Sequence, residues 1–457
     1  MKKILALLLA VLMIVGLAAC GGSGDNGTTT APSNGTQGTQ GTQGTQGTQG
    51  TESTEPTEPP TANTSKPEST PNADAKKFTI KVWTAAEDQD PNNNWLETMQ
   101  AQFDAAHLNY DITWVNESVS EGEVAAQVTG DVGAAADVYM FANDQLGSLV
   151  TAGGLARQGG AMETQIRNDN TQFMINTVTH TDGGLYGFPC TNNTWFLYYD
   201  KSVMNEEDVK SLEGMLAKGK VCLPMTNSWN NGCFFLGCGG KIFGDAGNDA
   251  DAGIQFGEAN GGYIAAKKMI ELKNNPNVVC GGMDSGMLIS GDVAAVFSGT
   301  WDAAKIKEAL GENFGVAPLP TFEADGNVYN MTAMSGSKCV GVNPTSGSTP
   351  GKQKVCTEFA AFLASADAQM ARYAMRGVIP SHKGLASAPL ITADPVAMAE
   401  ITTITNNAVV QSALSQMGSY WTPMGNFGTS VSNGDINMDN YMDMVDQLNA
   451  QLNAQGL

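Results

Sequence analysis

Positive charge is scarce in this sequence. Lys and Arg together number 24 against 46 Asp and Glu, and the formal net charge at pH 7 is −22. Nucleic acids and anionic lipid surfaces attract Lys and Arg, so a strongly acidic chain is repelled by both. The charge balance therefore argues against nucleic acid as a partner, whereas it is compatible with a neutral solute such as a sugar.

Catalytic and metal-binding motifs are also missing. The three histidines lie in unrelated contexts, and none is placed for a Ser-His-Asp arrangement. The sequence contains no Gly-x-Ser-x-Gly nucleophile turn, no His-Glu-x-x-His zinc site and no phosphate-binding loop. It therefore predicts a protein that is not an enzyme, with no catalytic residues, no metal and no cofactor.

Long apolar runs are absent beyond the start of the chain, where one extends from Ile4 to Leu17 behind a basic head. A membrane span needs about 20 apolar residues, so this shorter run is typical of a secretory signal peptide, which we place at residues 1–19. The run ends in LAACG, which resembles the lipobox of bacterial lipoproteins. This predicts that Cys20 is lipidated and anchors the chain to the outer face of the cell membrane.

Aromatic residues and leucine are absent between Gly21 and about Ala75. Gly35–Gln49 consists of five Gly-Thr-Gln repeats, and a stretch rich in Thr, Glu and Pro follows. Such a segment cannot bury enough apolar surface to offset its chain entropy. We therefore expect residues 20–75 to form a disordered tether between the lipid and a folded domain, residues 76–457.

Cysteine pairs with a recognisable spacing are lacking in the folded part. Residues 76–457 hold seven cysteines, an odd number, so they cannot all pair internally. Cys233 and Cys238 do not have the Cys-x-x-Cys spacing of redox or zinc sites. Most of the seven, such as Cys339, lie among apolar residues, which predicts buried free thiols, although disulfides remain open in an extracellular setting.

Alternating and helical apolar patterns follow one another in the first part of the domain. Strands are predicted at Phe78–Trp83, Tyr110–Val115 and Ala136–Phe141, and helices at Trp95–Ala106 and near Gly122–Val128. This order implies a parallel sheet with helices on its faces. Ligands of such sheets bind beyond the carboxyl ends of the strands, which predicts a site after these three strands.

Several segments, in order along the chain, resemble the maltose-binding type of ABC-importer solute-binding proteins. They are a strand, ligand loop and helix at Asp137–Ala156, a first crossover at Tyr186–Lys201, a glycine-then-tryptophan segment at Gly291–Trp301, a strand at Asn313–Phe322 and a late aromatic motif at Ser419–Trp421. Together they span nearly all of the chain from Phe78 to Leu457.

The resemblance implies an α/β fold of the type II periplasmic-binding-protein class, with two lobes and a ligand cleft between them. We expect one lobe at about 78–190 and 331–380 and the other at about 195–326 and 384–457. The lobes are expected to close on the ligand by a hinge motion.

The implied function is the capture of an oligosaccharide, first of all a malto-oligosaccharide, by a monomer that delivers it to the membrane permease of an ABC-type importer. Xylo- or other plant-derived oligosaccharides, another solute such as a polyamine, and a role as a surface glycan adhesin remain open. A lipid-anchored glycoside hydrolase is the less favoured alternative, because no hydrolase motif surrounds the acidic residues near the predicted site.

Aromatic side chains are the first candidates for contact with sugar, since their flat faces cover the C–H groups of a pyranose ring. By the resemblance, Trp301, Trp421 and Phe141 fall on positions that stack on sugar, and Trp229 lies near a fourth. The alternative for any tryptophan is core packing. We expect that role for Trp95 and Trp114, and we keep Trp83 as a possible wall of the site.

Polar side chains should form the rim of the site. Asp144 matches a family acid that binds sugar hydroxyls, and carboxylates accept strong hydrogen bonds. Glu87 and Asp88 follow the first strand, where a ligand loop or a solvated acidic turn is equally expected. The remaining candidates are Asn193 with its neighbour Trp195, at a crossover position where the family has an acid, and Gln145, where well-known members have arginine. Together with Thr422 and Gly425, which replace a second aromatic and a further basic residue, these departures weaken the preference for maltodextrin.

Overall fold

The computed structural model describes residues 62–345 and 348–454. The described residues belong to one compact unit. The predicted signal peptide, Cys20 and the tether up to residue 61 lie outside the described residues, so those predictions stand as made. Within the described ranges, no helix combines the length and the apolar character that crossing a membrane requires.

The described residues form fifteen strands and seventeen α-helices. The strands are β1 (Lys76–Thr84), β2 (Tyr110–Ser118), β3 (Val138–Ala142), β4 (Phe188–Asn193), β5 (Phe196–Asp200), β6 (Val221–Leu223), β7 (Lys241–Ile242), β8 (Ile254–Gln255), β9 (Val278–Cys280), β10 (Ala295–Ser298), β11 (Phe314–Ala317), β12 (Thr321–Ala324), β13 (Asn327–Asn330), β14 (Ala333–Val342) and β15 (Ala408–Val410). The helices are α1 (Trp95–Ala106), α2 (Val124–Gly130), α3 (Leu146–Thr151), α4 (Ala161–Asp169), α5 (Gln172–Asn176), α6 (Leu212–Leu216), α7 (Ser228–Asn231), α8 (Cys233–Gly237), α9 (Gly262–Lys273), α10 (Ser285–Ile289), α11 (Ala303–Leu310), α12 (Pro350–Leu363), α13 (Ala366–Arg376), α14 (Pro389–Thr392), α15 (Pro395–Asn406), α16 (Gly418–Asn433) and α17 (Tyr441–Leu452).

The first lobe is built on a mixed sheet in the order β15-β14-β3-β1-β2, with β4 also paired to β14. Strands β2, β1 and β3 run parallel, as predicted, and β14 is antiparallel to β3 and β4. Helices α1 and α12 cover the sheet with buried side chains such as Met99, Phe103 and Phe359. The three predicted strands and two predicted helices of this region are confirmed.

The second lobe is built on a sheet in the order β11-β5-β10-β6-β9. Its largest core contains Phe234, Phe235 and Phe256, packed against α9 and α16. Phe235 and Phe256 stack with ring centroids 4.9 Å apart. Burial of such large apolar side chains contributes about 1.5–3 kcal/mol each, so this lobe has a core of its own.

Several of the described segments that pass between the lobes are hydrogen-bonded to one another. Among them are the residues between β4 and β5, the start of β14 and the residues just after β15. The Ser335 hydroxyl donates to Thr194 Oγ1 (2.5 Å), and the Gln411 backbone N–H donates to the Ser335 carbonyl (2.8 Å). These crossing segments connect the two lobes.

The end of the predicted tether is a correction. Residues 62–75 lie on the folded domain instead of extending freely from it: Gln102 Nε2 donates to the carbonyls of Asn63 (2.9 Å) and Ser65 (2.8 Å) on one side of α1. The Asn72 N–H donates to the Leu108 carbonyl (2.8 Å). The Lys66 ammonium group also pairs with Glu97 of α1 at 2.7 Å. The low apolar content of this segment gave no sign of docking, because these contacts are polar and most use backbone groups.

The seven cysteines of the domain are free thiols, and five of them are buried. Burial raises the pKa of the Cys339 and Cys356 thiols to about 12. Such thiols are poor nucleophiles at neutral pH. The prediction of buried free thiols is confirmed.

Candidate functional site

Two short 3-10 helices follow the carboxyl ends of β1 and β3, at Ala86–Gln89 and Asn143–Gln145. They carry Glu87, which is exposed, and Asp144, which is partly exposed. The ends of parallel strands meet at one edge of the sheet. The first lobe therefore presents these two carboxylates where the sequence predicted a site.

The position of Asp144 is fixed by its buried neighbour Asn143. The Asn143 Nδ2 donates to the Gln411 carbonyl (2.8 Å), and its Oδ1 accepts from the Ser337 N–H (3.1 Å). A Cβ on Gly336 would lie 2.1 Å from that Oδ1, so only glycine leaves room for this arrangement. The loop is thus tied both to β14 and to a segment that crosses between the lobes.

The electrostatic setting of Asp144 combines burial with a nearby positive charge. Burial raises the pKa of the Asp144 carboxyl above its ordinary value, and the charge of Lys338 opposes this shift. No ion pair or side-chain hydrogen bond joins Asp144 to another described residue. Its carboxylate oxygens are therefore free to accept hydrogen bonds from a ligand.

The second lobe supplies an aromatic wall made of Trp229 and Trp301. Their ring centroids lie 6.1 Å apart with the planes inclined by 31°, and Trp301 is 51% exposed. Trp301 belongs to a short 3-10 helix, Thr300–Asp302, that follows β10. The Ser298 hydroxyl donates to the Asp302 carboxylate (2.6 Å) and holds this turn in place.

Trp421 stands in the first turns of α16, beside this wall. It is partly exposed, and its ring meets the buried Tyr420 ring edge-on at 5.2 Å. Helix α16 packs on α7, the helix that carries Trp229, and the Asn231 Nδ2 donates to the Met424 carbonyl (2.7 Å). The start of α16 is also linked to the first lobe, because the Gly147 N–H donates to the Ala413 carbonyl (3.1 Å).

Three predicted contact residues are corrected by their burial. Phe141 and Trp195 have no exposed surface: Phe141 packs against Tyr139 with ring centroids 6.2 Å apart, and Trp195 meets Phe297 edge-on at 5.8 Å. Both are core residues. Asp88 is 0% exposed and accepts hydrogen bonds from Arg372.

Asp88 is the centre of an internal ion cluster. Its carboxylate accepts hydrogen bonds from Arg372 at 3.0 and 2.6 Å and from Arg376. The Arg372 guanidinium also lies 5.0 Å above the Trp95 ring. The hydrogen bonds of the Asp88 carboxylate are therefore satisfied within the protein. Asp88 anchors its loop, on which Glu87 is exposed, to helix α13 and does not face a ligand.

Two further candidates keep an open position. Asn193 is partly exposed at the end of β4, opposite Gly336. Gln145 is partly exposed, but its Oε1 accepts from the Ala125 N–H (2.8 Å) at the start of α2, so this oxygen is already engaged. Trp95 and Trp114 pack within the first lobe, as expected, and Trp83, only 6% exposed, also belongs to its core.

Two titratable residues were not anticipated. Lys338 is the single residue of β14 that is not buried. Glu400 of α15 is buried next to the crossover between the lobes. Burial raises the pKa of its carboxyl to about 8, although a hydrogen bond with the Thr194 backbone acts to lower this pKa. In the sequence, both residues could have been noticed as a single charged residue within an otherwise apolar strand or helix.

A cavity of about 360 Å³ lies on the other side of the crossover. Asn192 lines it, whereas the adjacent Asn193 points to the opposite face, as successive residues of a strand do. Its walls include Phe173, Ile401 and Ile404. This apolar lining lacks the carboxylates of the first lobe and the tryptophans of the second lobe. A sugar therefore fits the region of those side chains better than it fits this cavity.

Comparisons with known proteins agree on one family. The sequence profile described as "Bacterial extracellular solute-binding protein" matches residues 98–399. The galactooligosaccharide-binding protein of Bacillus subtilis (strain 168) is 26% identical over 398 residues, which make up 83% of this chain and 90% of that relative.

The maltooligosaccharide ABC transporter solute-binding lipoprotein of Streptococcus pneumoniae R6 is 26% identical over 313 residues, 64% of this chain and 70% of that relative. A solved structure determined with acarbose has 40% sequence identity and a TM-score of 0.75, and it covers 83% of this chain and 99% of its own. These likenesses confirm the predicted two-lobed α/β fold.

Proposed function

The chain belongs to the bacterial extracellular solute-binding protein family, and we propose that it captures a malto-oligosaccharide for an ABC-type importer. The observation that carries this proposal is the Trp229–Trp301 wall, with one indole half exposed, together with the unpaired Asp144 at the edge of the first lobe. Indole faces suit the C–H faces of a sugar, and the carboxylate suits its hydroxyls.

The pneumococcal relative is named for maltooligosaccharide, and the structure at 40% identity was determined with acarbose. Both support an α-glucan type of ligand. The Bacillus relative, named for galactooligosaccharide, aligns over more of the chain and supports another oligosaccharide as the second candidate.

The same proposal includes anchoring by lipid and binding without turnover. The LAACG sequence around Cys20 and the name of the pneumococcal relative, a lipoprotein, support a lipid anchor at the outer face of the membrane. Of the acids predicted for the site, the ion cluster occupies Asp88 and leaves Glu87 and Asp144. A glycoside hydrolase would need two carboxyl groups about 5–10 Å apart, one of which is protonated and acts as the acid.

A thermal-shift screen tests the proposal on the domain from residue 58 onward, which is one compact unit. Maltotetraose, acarbose, galacto-oligosaccharides and xylo-oligosaccharides are compared, with chromatography of the sugars afterwards. A ligand at about 100 times its dissociation constant should stabilise the fold by about 2.7 kcal/mol. Stabilisation by maltotetraose with intact sugar is expected. Stabilisation by galacto-oligosaccharide alone would favour the second candidate. The proposal would be contradicted if no sugar shifts the unfolding temperature, or if the protein cleaves a sugar.

A further inference from the structure

Lys338 occupies an unusual position for a charged residue. It lies in β14, where the nine other residues are buried. Its backbone is firmly held: its N–H donates to Thr191 Oγ1 (3.1 Å), and its carbonyl accepts from the Ser337 hydroxyl (2.9 Å) and from Cys190 Sγ (3.1 Å). The backbone thus fixes the direction in which the side chain leaves the strand.

The strand register gives that direction. Lys338 is directly opposite Ala142 of β3 and Thr191 of β4, and Gly336 is directly opposite Asn193. Residues directly opposite one another project from the same face of an antiparallel pair. Lys338 therefore shares a face with Ala142 and Asn193, which are both partly exposed at the edge that carries Asp144.

The ammonium group of Lys338 has no internal partner. Within residues 62–345 and 348–454, no hydrogen bond or ion pair involves its Nζ. By contrast, Lys268 and Lys352, whose side chains are 9% and 19% accessible, pair with Glu213 and Asp137, each at 2.7 Å. The residue is only partly exposed, and its ammonium donors are left for water or a ligand.

We propose that Lys338 is a ligand-contacting residue that determines sugar specificity together with Asp144. An ammonium group only donates hydrogen bonds, and a carboxylate only accepts them. From the same edge of the sheet, they can read hydroxyls of one bound sugar, one hydroxyl through its oxygen and another through its proton. Their opposite charges also cancel, which favours a neutral sugar over a uronic acid or an amine. The inference rests on the proposed function and names a further residue of the same site.

The test uses Lys338→Met, which keeps the apolar stem and removes the charge, with isothermal titration of the oligosaccharide that stabilises the wild-type chain. Lys354→Met is the matched control, because Lys354 is exposed on α12 and its side chain is 68% accessible. We expect Lys338→Met to bind about tenfold to hundredfold more weakly. Lys354→Met should bind like wild type, and all unliganded proteins should unfold at similar temperatures.

Monodeoxy derivatives of the same sugar provide a readout that a purely structural role would not change. The wild-type chain should lose affinity for the derivative without the hydroxyl that Lys338 contacts, and Lys338→Met should not distinguish it from the parent sugar. Lys338→Arg should keep part of the discrimination. If the wild type binds the sugar and Lys338→Met binds it equally well, the inference about Lys338 is overturned, whereas the proposed function still stands. If the wild type binds no saccharide, the proposed function fails and the inference falls with it.

Discussion

An aromatic ring can stack on a sugar only when one of its faces is free. Trp301 meets this condition because the backbone beneath it has no side chain: a Cβ on Gly299 would lie 2.1 Å from the Trp301 ring. The Gly299 carbonyl accepts a hydrogen bond from the buried Tyr198 hydroxyl (2.9 Å), which fixes the turn. The exposure of Trp301 therefore follows from the close approach of Gly299 beneath its ring and from the hydrogen bond that fixes the turn.

Trp301→Ala should weaken oligosaccharide binding by about 1–3 kcal/mol, by analogy with the loss of an aromatic stacking partner. The fold should survive, because the removed ring is half exposed and the turn keeps its hydrogen bonds. Isothermal titration measures the change, and Val328→Ala, at a site 67% exposed on the β12–β13 hairpin, serves as control. Wild-type affinity in both Trp301→Ala and Trp421→Ala would place the sugar elsewhere.

Single residues also mark the limit of what the sequence predicts. Asp88 looks like a solvated or ligand-binding acid until Arg372 and Arg376 are seen beside it, and those partners lie more than 280 positions away. Phe141 belongs to β3, whose two faces are both covered, so alternation along the strand carries no information about exposure. Sequence patterns identify the strand and the loop, whereas burial of each side chain depends on distant segments.

Elements are more predictable than residues, because their causes are local. The helix predicted at Trp95–Ala106 has those bounds in the structure. Asn94 caps it by accepting from the Glu97 N–H (3.0 Å), and Leu96, Met99 and Phe103 follow the helical period into the core. Where the cause is not local the prediction fails, as in the segment 62–75, which the side of α1 holds through backbone carbonyls.

Helix α15 carries the buried Glu400 beneath a crossing segment, and this placement predicts a pH dependence. The pKa of its carboxyl is about 8 in the folded chain and near its ordinary value of 4.5 in the unfolded chain. Between these values the folded state binds the extra proton, so stability falls as pH rises, by on the order of 1 kcal/mol per pH unit.

Glu400→Gln removes this proton and should therefore become progressively more stable relative to wild type from pH 5 to pH 8. Urea unfolding at several pH values measures the difference, and Glu308→Gln, at an exposed position of α11, controls for the lost surface charge. Parallel stability curves for Glu400→Gln and wild type would show that Glu400 is ionised in the folded protein.

At the scale of the whole molecule, each lobe carries part of the proposed site. The first lobe presents Asp144, Glu87 and Asn193, and the second presents Trp229, Trp301 and Trp421. Hydrogen bonds between Ser335, Thr194 and Gln411 join the crossing segments. A sugar that contacts both lobes adds interactions that exist only when they are close together, so it favours the closed arrangement.

Small-angle X-ray scattering of the chain from residue 58 should therefore give a smaller radius of gyration with a saturating oligosaccharide than without it. The variant Trp301→Ala/Trp421→Ala, measured at the same sugar concentration, should keep the dimensions of the unliganded protein, because it retains the hinge but loses the wall that draws the lobes together. A ligand can shift the lobes only by its difference in affinity for the two arrangements. Saturated binding by calorimetry with unchanged scattering would mean that the sugar is held by one lobe alone, and the crossing segments would then connect the lobes without acting as a hinge.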